Sequence, residues 1–184
     1  SDVCSSDLDR KHTHDKLKPT VYMQSSPFKS PTKDDLLKGS DAITRDDIRW
    51  SQCDTKATSL LANIMFAQEA KNHGVEEVIL IRNGIVTECS SSNLFLVKNN
   101  CIYTHPKGPY ILPGITREMI INCAKYCDIE IKEITFNKDS LMDADEVWIS
   151  SSTREVVPIT RIDDCAINNG KVGEKWSLIY DRYQ

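Results

Sequence analysis

Alternation and helical spacing divide the chain into short elements. Lys18 to Gln24 alternates, Val21 and Met23 against Tyr22 and Gln24, which predicts a strand. Ser25 to Gly39 is rich in Ser, Pro and Lys and reads as a linker. Ala42 to Trp50 reads as a second extended segment. Asp54-Thr55-Lys56 is expected to open a long helix, with apolar positions Leu60, Leu61, Ile64, Met65, Ala67 and Ala70 and an end at Gly74. Val78 to Ile81 is a short, nearly continuous apolar strand. Asn83-Gly84 is a turn signal that introduces a strand at Ile85-Val86-Thr87. Leu94 to Val97 and Ile102 to Thr104 predict a hairpin over Asn99-Asn100. Met119, Ile120, Cys123, Tyr126 and Cys127 recur at helical spacing. Ile129 to Ile134, Val147 to Ser150 and Val156 to Ile162 predict three further strands. Asn168-Asn169-Gly170 is another turn, and Gly173 to Tyr183 predicts a terminal helix with Trp176 and Ile179 inward. Strands and helices mixed without βαβ regularity point to an α+β domain.

Residues 1–8, SDVCSSDL, resemble the translation of a sequencing adapter joined to a reading frame; a short polar, disordered terminus is the alternative. Setting them aside removes Asp2 and Asp7 and moves the formal charge from −4 to −2. So mild an acidity points to neither nucleic acid nor an anionic membrane as partner. An apolar fraction of 40% can supply a core for one ordinary domain, with room for a piece of another. No apolar run approaches a membrane span, and no signal peptide is visible. Cys53, Cys89, Cys101, Cys123, Cys127 and Cys165 are scattered, unlike a zinc motif or a secreted disulfide framework. Cys123 and Cys127 share a helix face, which suits packing better than metal binding. The pattern suggests a reduced, cytoplasmic protein. His14, His73 and His105 stand alone, so no metal site is expected. His73 reads as a surface residue at a helix end and His105 as a turn residue. The pairs Asp34-Asp35 and Asp46-Asp47 read as solvated acids.

The chemistry concentrates between Glu88 and Arg117. Gly114-Ile115-Thr116-Arg117 opens a helix after Pro113, and free amides with the dipole at such a start suit a phosphate. Ile115 and Thr116 would offer backbone N–H groups and Thr116 its hydroxyl; a plain helix cap is the compatible alternative. Glu88 ends a strand. A carboxylate beside a phosphate cradle suggests a cofactor with a cationic ring and a phosphate, as pyridoxal 5'-phosphate has. A surface glutamate is the other reading of Glu88.

Together Glu88, Ser90, Asn93-Leu94-Phe95, Ile102-Tyr103-Thr104 and Leu112-Pro113-Gly114-Ile115-Thr116-Arg117 resemble the signature of the class IV aminotransferases, the fold-type IV pyridoxal phosphate enzymes. Within the family the D-amino-acid aminotransferases are most similar, on Asp47-Ile48-Arg49-Trp50, Thr87 to Ser92, Tyr103-Thr104-His105-Pro106 and Gly170 to Glu174. The resemblance implies the large α+β domain of that fold over residues 41–184, a linker over 26–40 and the end of a small domain over 9–25. It implies that Lys56, in Cys53 to Leu61, forms an imine with the cofactor aldehyde and then moves the substrate's α-proton. Such an amine must shed its own proton, which burial and a nearby cation favour. Composition alone would make Lys56 a solvated lysine. The resemblance further implies that Glu88 holds the ring nitrogen, Leu112 packs on the ring, and Ser151 and Ser152 form a second phosphate-binding turn. For Leu112 the alternative is ordinary core, and for the serines an ordinary turn.

Arg10 and His12, in an Arg-x-His pattern, resemble the segment that holds the substrate carboxylate across a dimer interface; a polar stub is the alternative. Cys89, where the family often has glycine, and Pro113 are departures. The small-domain arginine that grips the cofactor phosphate in the family has no counterpart here. The implied function is transamination between a D-amino acid, of D-alanine or D-glutamate type, and a 2-oxo acid by a homodimer. Branched-chain L-amino-acid aminotransferase, aminodeoxychorismate lyase and an inactive fragment that keeps only the fold are the alternatives.

Overall fold

The computed structural model describes residues 18–184. Arg10, His12, His14 and the adapter-like segment lie outside the described residues. In chain order the elements are α1 (Lys33–Leu36), β1 (Ser40–Asp46), α2 (Leu61–His73), β2 (Glu77–Arg82), β3 (Ile85–Cys89), β4 (Asn93–Lys98), β5 (Cys101–Thr104), α3 (Ile115–Tyr126), β6 (Ile131–Glu133), α4 (Lys138–Met142), β7 (Glu146–Ser151), β8 (Glu155–Ile162), β9 (Cys165–Ala166) and α5 (Glu174–Tyr183). The strands form one mixed sheet in the order β3-β2-β1-β8-β7-β4-β5-β6, with β9 paired to β8. The pairs β1–β2, β1–β8 and β5–β6 are parallel and the rest antiparallel. This is the α+β class that the mixed pattern predicts.

The local signals place their elements well. Asn83-Gly84 and Asn99-Asn100 take positive φ, which suits two-residue hairpin turns between twisted strands. The continuous apolar run in β2 has its cause in two-sided burial. Ile79 enters the main core, while Val78 and Leu80 pack with Ile43, Phe66 and Ala70 beneath α2. The main core lies where α3 and α5 pack together and against β7. Trp176 and Ile179 of α5 are inward as expected. The start of α5 is fixed by Glu146, whose carboxylate accepts from the Lys175 and Trp176 amides at 2.9 Å and from Trp148 Nε1 at 3.0 Å. A carboxylate at a helix N-terminus satisfies orphan amides and suits the dipole.

Four expectations are corrected. Lys18 to Gln24 is not a strand; Val21, Tyr22 and Met23 are exposed, and no neighbouring strand among the described residues offers ladder partners. Lys56 does not open α2, which begins at Leu61. The Thr- and Ser-rich segment before it favours local turns, and Cys53 N–H is tied to Pro109 O at 2.7 Å. The inward face of α2 is also narrower than expected. Phe66 and Ala70 are buried, whereas Leu60, Leu61, Ile64 and Met65 are exposed. A helix that meets the sheet along one stripe cannot bury residues spread around it. In α3 the buried stripe is Ile120, Ile121, Cys123 and Ala124, while Met119 and Tyr126 face out.

Candidate active site

Glu88, near the end of β3, is carried into a ring of donors. It is buried, and each oxygen has partners. Arg49 Nη1 donates to Oε1 at 2.5 Å. Asn93 Nδ2 and the Leu112 amide both donate to Oε2 at 3.0 Å. Asn93 Nδ2 also reaches Leu112 O at 2.7 Å, which ties the start of β4 to the loop before α3. A carboxylate offers about four lone-pair positions, so three bonds leave Oε1 one position for another donor.

Arg49 is itself gripped by Asp47, Nε to Oδ1 at 2.9 Å and Nη2 to Oδ2 at 3.0 Å. Asp47 further accepts from Arg82 Nε and Thr87 Oγ1, each at 3.2 Å. Its side chain is wholly buried, so the expectation of a solvated acid at Asp47 is wrong. Two guanidinium groups make the interior tolerable for it. Burial works to raise its carboxyl, but Arg49 and Arg82 outweigh that and hold it below its ordinary value. Glu88 goes the other way. Burial dominates over the pull of Arg49 and pushes its carboxyl up to about 7, with Asp47's charge adding to the rise.

A cavity of about 720 Å³ opens beside this cluster. Lys56, Glu88, Leu112, Ile115, Thr116, Ser151 and Ser152 all line it, so the structure brings together every expected site residue within the described chain. Lys56 is exposed, on the turn-rich segment ahead of α2. The α3 start faces the same space. Its first-turn amides at Ile115 and Thr116 precede the first ladder bond, from Glu118 N–H to Gly114 O at 3.1 Å. Gly114 is required there, since a Cβ would stand 2.5 Å from the pinned Asn93 Oδ1. Ser150, near the end of β7, lines the cavity with a buried hydroxyl that has no partner among the described residues.

Sequence reasoning named Asn93 and the Asp47–Trp50 segment as family features but gave Asn93, Arg49 and Asp47 no role in the site. It passed over Arg82, Glu77 and Arg154 entirely. The signal available was a charged residue at each end of the apolar run in β2, Glu77 and Arg82; Asp47, Arg49 and Arg154 lie in connecting segments and gave none. His105 is buried rather than a plain turn residue, and burial lowers its pKa.

The chain matches the profile of the amino-transferase class IV family over residues 5–162. It is 43% identical over 165 residues to a D-alanine aminotransferase of Bacillus licheniformis, covering 89% of this chain and 58% of that protein. A D-alanine aminotransferase of Listeria innocua is 44% identical over 138 residues, covering 75% and 48%. Among solved structures, a T.th. branched-chain amino acid aminotransferase complexed with N-(5'-phosphopyridoxyl)-L-glutamate superimposes with a TM-score of 0.73 at 29% identity, over 80% of this chain and 51% of that one. A branched-chain aminotransferase of Thermoproteus uzoniensis with norvaline gives 0.74 at 30%, over 86% and 53%. The protein therefore belongs to the class IV aminotransferases, and its fold is that of part of their large domain. The chain spans about half the length of the relatives it matches.

Proposed function

We propose that the protein is a pyridoxal phosphate-dependent aminotransferase acting between a D-amino acid and a 2-oxo acid. One observation carries the reading. A single cavity joins a free-standing lysine, a clamped buried carboxylate and a helix N-terminus flanked by serines. The preference for a D-amino acid rests on the D-alanine aminotransferase relatives, whose identity exceeds that of the branched-chain neighbours.

The residues present fit the cofactor. The α3 amides of Ile115 and Thr116 with the Thr116, Ser151 and Ser152 hydroxyls suit a phosphate, and the open position on Glu88 Oε1 suits a ring N–H. The unpartnered Ser150 hydroxyl adds one more polar group to the lining. When bound, pyridoxal phosphate supplies an electron-accepting ring that lowers the cost of removing the substrate's α-hydrogen. Lys56 Nζ would take that proton from the donor's α-carbon and, in the second half of the reaction, deliver a proton to the carbon of the incoming 2-oxo acid that becomes the product's α-carbon. Glu88 would hold the ring N–H and so keep the ring polarised, with Arg49 and Asn93 fixing its carboxylate. Leu112, which lines the cavity, would pack an apolar side chain on the ring and keep water from that face. Arg10 and His12 keep the carboxylate-binding role that the sequence suggests. Residues 9–25 are read as the end of a preceding small domain, and the exposed Val21, Tyr22 and Met23 support this.

The exposed Ile48, Leu61 and Met65 border a shallow groove beside the start of α2, and this supports assembly as a homodimer. The cytoplasmic assignment rests on the scattered cysteines, of which the six described are free thiols. Initial rates with D-alanine, L-leucine and L-isoleucine as amino donors test the reading. Turnover of D-alanine is expected; turnover of the L substrates alone would transfer the protein to the branched-chain reading.

A further inference from the structure

Two turns line the same cavity, Ser90 to Ser92 and Ser151 to Thr153. Behind them lies an ion pair of a buried glutamate and a partly exposed arginine that touches both. Glu77 is nearly fully buried at the start of β2. Its Oε1 accepts from Ser90 Oγ and from the Val78 amide, the latter at 3.0 Å. Its Oε2 accepts from Ser91 Oγ and Ser92 Oγ, each at 3.0 Å, and from Arg154 Nη2 at 2.6 Å. Arg154 spends the rest of its fork on protein groups. Nη2 reaches Ser91 Oγ at 2.8 Å, and Nη1 reaches Glu76 O at 3.2 Å and Glu76 Oε1 at 3.1 Å. Nε reaches Ser151 Oγ at 3.4 Å, and the Arg154 amide reaches the same oxygen at 3.3 Å. All five guanidinium N–H groups therefore have partners in the chain, and Arg154 has none to offer a ligand.

Hydrogen-bond directions follow from the inventory of donors. An ionised carboxylate only accepts, so Ser90, Ser91 and Ser92 each give their proton to Glu77. Burial alone would raise the Glu77 carboxyl, but Arg154 and the Ser90 hydroxyl outweigh it and keep the group ionised. Ser90 and Ser92 keep both oxygen lone pairs, and Ser91, which also accepts from Arg154 Nη2, keeps one. Ser151 has the opposite bias. Its oxygen already accepts from two N–H groups, one of them cationic, so its own proton is what remains.

We propose that Arg154 and Glu77 are positioning residues that sort the cavity hydroxyls by direction, so that Ser151 meets a bound phosphate as a donor while Ser90, Ser91 and Ser92 line the cavity as acceptors. The inference rests on the cofactor reading above, and it gives that site a polarity. The Ser151 side favours an anion, and the Ser90–Ser92 side favours an amine or ammonium. It also makes the two turns one unit, because the ion pair bonds to both.

Paired titrations with pyridoxal phosphate and with pyridoxal, which lacks the phosphate, test this in the protein and in Arg154→Gln, followed by absorbance. The variant is expected to raise the Kd for pyridoxal phosphate about tenfold, the loss of one charge-assisted hydrogen bond, and to leave that for pyridoxal unchanged. Arg154→Lys should recover part of the loss. Ser151→Ala should cost a similar factor alone and little more when added to Arg154→Gln. Should Arg154→Gln strand the Glu77 charge and fail to fold, the pair Glu77→Gln with Arg154→Gln, which removes both charges, carries the same comparison. Equal weakening of both ligands, or no weakening of either, overturns the inference. No binding of pyridoxal phosphate by the unaltered protein instead overturns the cofactor reading on which it stands.

Discussion

Glu88 and Lys56 carry most of the proposed chemistry, and each yields a test at its own position. Glu88 is held by three donors and yet has its carboxyl pushed up to about 7, from an ordinary value of 4.5. Between those values the folded chain binds more protons than the unfolded one, so this group makes stability fall as pH rises through the window. Glu88→Gln should remove that slope, read as a smaller drop in urea midpoint between about pH 5 and pH 7.5 than the parent shows. Equal drops would mean that Glu88 does not titrate there. Glu88→Lys, which sets a second cation against Arg49 and the ring nitrogen, should be far more damaging to turnover than Glu88→Gln, which keeps a neutral acceptor. Lys56→Ala removes the proton carrier, and its turnover should fall by about a thousandfold or more. Normal turnover in that variant would discard Lys56 from the mechanism.

At the scale of elements, the site depends on loops held in place by buried charge. Arg49 joins β1's exit to β3 and to the loop before α3, through Asp47, Glu88 and Tyr110 O. Arg49→Ala would leave Asp47 and Glu88 short of their cation and should destabilise the fold by about 3–5 kcal/mol, measured by denaturant unfolding. Gly114→Ala would push against Asn93, which its bonds to Glu88 and Leu112 O hold fast. It should move the α3 start, weaken cofactor binding and lower stability; unchanged affinity would show that the α3 amides do not bind the phosphate. The hairpins and the run in β2 were legible in the sequence because their causes are local, a turn pair or a strand covered on both faces. The start of α2 was not legible, because Thr55, Thr58 and Ser59 favour local turns where the spacing alone continued the helix. Nor were the buried charges. Arg49 meets Glu88 across 39 positions and Arg154 meets Glu77 across 77, and no periodicity links residues so far apart. Glu88 and the Gly114–Thr116 helix start were legible from the residues themselves, whereas Lys56, Ser151 and Ser152 were found through the family signature.

For the molecule as a whole, the described chain has one sheet, with a cavity among the ends of β3, β4 and β7 and the α3 start, and apolar residues of α2 turned outward. Leu61→Asp with Met65→Asp changes residues that are 74% and 55% exposed, so the fold should tolerate both. The pair should shift the protein from dimer to monomer in light scattering, and a dimer that persists would place the interface elsewhere. The central claim is that the cavity binds pyridoxal phosphate and presents Lys56 to it. The most direct measurement is borohydride reduction of the protein after exposure to pyridoxal phosphate, followed by peptide mass mapping. The account predicts one pyridoxyl adduct, on the peptide that contains Lys56; an adduct on another lysine, or none, would contradict it.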